Sequence, residues 1–218
     1  MAPYKPTHLP YGLLDPSKRV IRNPGINDEV EFLKYGIETG GDHFFLRTTV
    51  GGGGNVPIHR HYGYGETFYP ISGEVGVVGE NGTKTTSLRH GETYKVKPGE
   101  WHRFFNPSPT ESIVFDAEVQ PAHQGFEKTL YIYYGLVEDG LGTPGGAPKS
   151  FFHALMLMHM GEVGYPGLTG WLFGHLAGIV GLLAWATGEE ERLTRKYYGK
   201  PIKEATDEER SKWLKKDV

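Results

Sequence analysis

HRHYGYGE, residues 59–66, sets two imidazoles, two tyrosines and a carboxylate within eight positions, and its reading decides the fold. In an extended strand successive side chains alternate faces, so His59 and His61 point the same way while Arg60 points away. Both imidazoles can then reach one ion. Glu66 follows a Tyr62-Gly63-Tyr64-Gly65 loop that can curl the chain back toward them. A further donor has to come from a neighbouring strand, and PGEWHRFFN, residues 98–106, supplies His102, with Gly99 turning the chain into that strand and Phe104 on the same face.

The flanking text is made of strands. From about Arg19 to Val119, runs such as HFFLRTTV, TFYPI, EVGVVG, TKTTSL, TYKVK and SIVFDAEV are short and rich in β-branched or aromatic residues. Glycine-rich turns separate them, and ENGT at residues 80–83 is a hairpin signal because Asn and Gly tolerate positive φ. Strands at this spacing predict a sandwich or barrel.

Two motifs in this region resemble those of the cupin superfamily. Gly53, His59, His61, Glu66 and Gly73 match every fixed position of its first signature. Gly91, Pro98, Gly99, His102 and Asn106 follow the second, with one departure: Lys97 stands where the family places its proline, and Pro98 abuts Gly99. The resemblance covers roughly residues 40–120. It implies an all-β fold, a double-stranded β-helix or jelly-roll barrel, here with a C-terminal helical extension, and a metal ion held by His59, His61, Glu66 and His102.

Three imidazoles and a carboxylate suit Fe(II) or Mn(II) first, and also accommodate Zn(II), Ni(II) or Cu(II). An octahedral ion with four protein ligands keeps two positions for substrate, water or dioxygen. Phe68, on the Glu66 face, and Phe104 and Trp101 near His102 are read as walls of a pocket for an apolar or aromatic oxygenated metabolite. Tyr64 and Glu66 are the candidates for moving a proton. The expected activity is that of a dioxygenase or a metal-assisted isomerase, cyclase or decarboxylase. The alternative is a non-catalytic, membrane-associated cupin that binds a metabolite.

Composition narrows the partners. A net charge of −3 gives no basic face for nucleic acid, and the absence of cysteine excludes disulfides and thiolate metal sites. The proline-broken N-terminus lacks the apolar core of a signal peptide, so the expected address is cytoplasmic, with membrane association through residues 163–188. That segment of 26 residues contains no Asp, Glu, Lys or Arg, and its apolar residues surround a helical axis, as in helices buried in protein or lipid. Gly170, Gly174 and Gly178 repeat every four positions, a pattern that lets helices approach closely. Because the basic residues Arg192, Arg195, Lys196, Lys200 and Lys203 follow the segment, a simple span would put the barrel outside. A hairpin lying on a membrane, or sandwiched in a homodimer, avoids that conflict. The expected organisation is an N-terminal arm with edge strands (1–35), the barrel (36–122), a connecting helix and linker (123–149), and an apolar helical hairpin with a charged tail (150–218).

Overall fold

Along Asp28–Lys34 and Phe44–Val50 every second side chain is buried and those between are half-exposed, until the first strand frays at Lys34. This period-two pattern marks strands with one face on a core. The computed structural model describes residues 4–214. Its strands are β1 (His8–Pro10), β2 (Val20–Asn23), β3 (Asp28–Lys34), β4 (Phe44–Val50), β5 (Arg60–His61), β6 (Gly65–Ser72), β7 (Val75–Gly79), β8 (Lys84–Leu88), β9 (Tyr94–Val96), β10 (Arg103–Phe105), β11 (Ile113–Gln120), β12 (Val163–Gly164) and β13 (Gly199–Pro201). Its helices are α1 (Tyr11–Leu14), α2 (Gln124–Leu136), α3 (Phe151–Met160), α4 (Gly167–Thr187), α5 (Glu189–Tyr197) and α6 (Asp207–Trp213).

Two antiparallel sheets form the barrel, one in the order β2-β3-β4-β11-β6-β9 and one in the order β10-β7-β8. A shared core joins them: Val50, Phe68, Val96, Ile113 and Phe115 of the first meet Val75, Val77 and Leu88 of the second. The predicted ENG hairpin connects β7 to β8, with Glu80, Asn81 and Gly82 all at positive φ. Single bridges Asn55↔Phe105 and His59↔His102 stitch the segment before β5 onto the β10 side.

The chain as a whole is not all-β. Among the described residues helix, at 38%, exceeds strand, at 31%, because most of the chain after residue 123 is helical. The ring of His123 caps α2 by accepting from the Phe126 amide, a role usually filled by Ser, Thr, Asp or Asn. α2 closes one end of the barrel through an aromatic cluster of Phe32, Tyr35, Phe44, Tyr64 and Tyr131. α3 starts at the Ser150 cap and α4 ends on left-handed Gly188. Met156 and Leu157 of α3 pack with Ala184 of α4, Leu193 of α5 and Ile132 of α2 in a third core.

The charged tail is integrated rather than appended. α5 carries acidic residues in its first turn and basic ones in its last, complementing the helix dipole, and β13 pairs antiparallel with β1 at the other end of the chain. Among the described residues one helix, α4, is long and apolar enough to cross a membrane, by length and composition alone.

Candidate metal centre

His59 and His61 flank Arg60 at the start of β5, Glu66 opens β6, and His102 precedes β10. The register that joins the two sides is direct: the His59 amide donates to the His102 carbonyl at 2.9 Å, and the His102 amide donates to the His59 carbonyl at 2.8 Å. One donor atom from each of the four residues lies within 4.8 Å of the others. Nε2 of His59 is 3.1 Å from Nε2 of His61, Nε2 of His102 is 2.9 Å from Glu66 Oε2, and Nε2 of His61 is 3.9 Å from Glu66 Oε1. His61, Glu66 and His102 are buried, and His59 is the half-exposed member.

What lies behind the rings decides what the cluster can bind. Nδ1 of His59 faces the Pro57 carbonyl at 2.8 Å, and Nδ1 of His102 faces the Glu100 carbonyl at 2.9 Å. A carbonyl can only accept, so both nitrogens carry protons. The Tyr64 hydroxyl donates to the Gly161 carbonyl at 2.6 Å and therefore accepts from Nδ1 of His61 at 2.7 Å. With every Nδ1 protonated, the neutral rings of His59 and His61 present bare Nε2 lone pairs to the centre, while Nε2 of His102 donates to Glu66. Two such lone pairs 3.1 Å apart repel unless a cation lies between them.

The electrostatics agree. Burial pulls the His59 imidazole down to about 4 and that of His61 to about 3, so both stay neutral near pH 7. Burial pushes the Glu66 carboxyl up, but the hydrogen bond from His102 and the surrounding imidazoles outweigh it and hold the group at about 2. For His102 burial acts downward and the bond to Glu66 prevails, leaving the ring above its ordinary value. The proton shared by His102 and Glu66 is the one an incoming ion would displace. The cluster has the donor chemistry of a divalent cation site without thiolate.

The expected pocket residues separate. Phe68 and Phe104 meet edge to face, with ring centres 6.0 Å apart, and belong to the barrel core with Phe115. Trp101 alternates with His102 along the chain and so faces the other way. Its ring lies under the Arg60 guanidinium, 4.4 Å from the ring centre. There it lines a groove of about 660 Å3 between the barrel and the α3–α4 hairpin, with Tyr62, His123, Glu162 and Trp171; no metal donor contributes to that lining.

Tyr64 is wholly buried and packs against both His61 and Phe126, at ring distances of 4.5 and 5.2 Å, with those two rings 5.0 Å from each other. Burial lifts its hydroxyl well above the ordinary tyrosine value, and the hydroxyl is held by Nδ1 of His61 and the Gly161 carbonyl. Asn106 is a turn clamp: its amide donates to the carbonyls of Val50, Gly51 and Glu111. Sequence reading missed the bracing acceptors Pro57, Glu100 and Gly161, because a carbonyl carries no residue signature. It also missed the pairing of β12 with β5, in which Val163 stands opposite His61.

Residues 46–118 match the family model described as the Cupin domain, so this stretch is a cupin-like domain. No curated protein matches the chain. Among solved structures, an uncharacterized conserved protein with a double-stranded beta-helix domain from Klebsiella pneumoniae is 28% identical, over 38% of this chain and 66% of its own, at a TM-score of 0.34. A predicted oxalate decarboxylase from Thermotoga maritima is 22% identical over 47% of this chain and 98% of its own, at a TM-score of 0.40. A polyketide cyclase from Streptomyces resistomycificus is 22% identical over 46% of this chain and 70% of its own, at a TM-score of 0.39.

Proposed function

We propose that the chain is a metal-dependent enzyme acting on a small oxygenated organic molecule, with a divalent ion, Fe(II) or Mn(II) by preference, held by His59, His61, Glu66 and His102. The observation that carries this reading is the convergence of three Nε2 atoms and one carboxylate while every Nδ1 is tied to an acceptor. When bound, the ion supplies Lewis acidity toward a carbonyl, enol or phenol oxygen, or a site for dioxygen beside it.

The protein's own contribution is positional. Three buried ligands keep bulk water from most of the centre, and half-exposed His59 marks the side from which a substrate oxygen can approach. Glu66, held at about 2, is a weak base and serves as a ligand. Phe68 and Phe104 follow Glu66 and His102 on the same strand faces and pack into the barrel core.

Elemental analysis of the purified chain should give about one divalent ion per chain, as the four-donor cluster requires. Oxygen uptake and product analysis against enols, polyketides and phenols then separate oxygenase from isomerase or lyase chemistry. A metal-free protein that takes up no Fe(II), Mn(II) or Zn(II) would sink the reading.

A second reading, a metal-bound protein that binds a metabolite without turning it over, is favoured by one observation. The groove of about 660 Å3 contains none of the four donors. Full metal loading with binding but no turnover of any panel member would select it.

A further inference from the structure

We infer that α4 is the contact surface between two copies of this chain, its helix packed antiparallel against that of the second copy across a two-fold axis. The surface is the outward face of the helix. Leu168, Trp171, His175, Gly178, Leu182 and Trp185 succeed one another at alternating spacings of three and four, the stripe a helix presents to another helix. Leu168 is 81% exposed, Leu182 66% and Trp185 75%. Leu172, Ile179 and Leu183 widen the stripe and are also exposed.

The size fits a second copy. These apolar side chains leave on the order of 900 Å2 in water, against the ~800 Å2 that each partner buries in a stable interface. The order fits as well. Read from both ends, the stripe is its own complement: Leu168 meets Trp185 of the second copy, Trp171 meets its Leu182, and His175 meets its Gly178. Such mutual pairing is what a two-fold interface demands.

The glycines divide by face. A Cβ at Gly170 would strike the Tyr165 backbone at 1.9 Å, and one at Gly181 would strike the His159 ring at 2.1 Å, so packing within the chain explains both. A Cβ at Gly174 or Gly178 would meet no atom within 4 Å beyond its chain neighbours and the backbone of its own helix. Nothing inside the chain uses these two notches, whereas an imidazole from a second helix fills the one at Gly178.

A lipid surface fits less well. It has no use for a notch or for a polar ring at the middle of the face, and Glu189, Glu190 and Glu191 directly after α4 would meet anionic headgroups. Trp171, Gly174 and His175 also wall the groove, so the second copy would close it on that side.

Light scattering on the full chain at micromolar concentration should give twice the 24.3 kDa mass of one copy. Leu182→Glu should return it to the mass of one copy with unchanged circular dichroism and metal content. Should Leu182→Glu not fold, Gly178→Leu, which fills the notch, is expected to do the same. The chain has no cysteine, so register can be read directly. The double variant Leu168→Cys/Trp185→Cys should cross-link to a dimer with a short bis-maleimide, and neither single variant should. A wild-type chain that stays single, a dimer indifferent to both substitutions, or a single-copy protein that floats with phosphatidylcholine vesicles would each overturn the inference.

Discussion

The metal layer and the outer face of α4 are opposite solutions to placing side chains. Around the metal layer the second nitrogen of each ring has an assigned acceptor, and the four donors point at one spot. On α4 large apolar side chains stand in water, and the polar atoms of the helix are satisfied within its own backbone. The first arrangement is fixed from within the chain. The second is complete except for a covering surface. Strict internal pairing marks where the fold itself fixes geometry, and unpaired apolar area marks where something outside the chain must.

The sharpest way to break the contrast is at the first region. His61→Ala removes a donor whose loss should exceed the 10–100-fold fall in metal affinity typical of a supporting partner. It should leave the far-UV circular dichroism unchanged, and full metal content in this variant would dissolve the site.

Next comes pH. Burial lifts the Glu127 carboxyl to about 7, although Tyr198 and the Gly36 amide bond to it. A carboxyl raised in the fold contributes fully below its unfolded value of about 4.5, and that contribution is lost as pH rises toward 7. The loss amounts to about 3 kcal/mol. Glu127→Gln should flatten this part of the stability profile between pH 4.5 and 7 in urea titrations. An unchanged slope would assign the slope to other groups.

Tyr64→Phe keeps the stacking on His61 and removes the acceptor of its Nδ1 proton. Metal affinity should fall by about 10-fold, at the lower end for a bracing partner, with the ion still bound in excess metal. A loss as large as that of His61→Ala would make Tyr64 a ligand in its own right. The smallest effect is expected on α4. Leu168→Gln, measured in protein dilute enough to be a single copy, should move stability by no more than about 0.5 kcal/mol, because this side chain already faces water.

The barrel and its four donors were legible in the sequence because both are written in spacing. Strand parity places His59 beside His61, and signature glycines mark turns such as Gly53, Gly73, Gly91 and Gly99, all at positive φ. Parity also placed Phe68 and Phe104 correctly on their faces, but could not say whether those faces line a cavity or fill a core. Trp101 failed by the same rule, since one step from His102 puts it outside. Tyr64 looked like a loop residue because its burial depends on Phe126 and Gly161, long-range partners from the helical half. The barrel and its C-terminal helices were expected, but the large share of helix was not, for a related reason. The helices cover the barrel and braid the two termini together, which no local pattern announces.

Gly161 lies far beyond the matched domain of residues 46–118, yet it accepts the hydroxyl that steadies His61. Anyone excising that stretch for crystallography, or grafting it onto another scaffold, would carry off all four donors and abandon the brace. The transplant would retain a ring free to swivel and a tautomer left to solvent. The smallest portable version of this centre therefore includes the turn after α3, and the border drawn by family likeness runs through the middle of a working part.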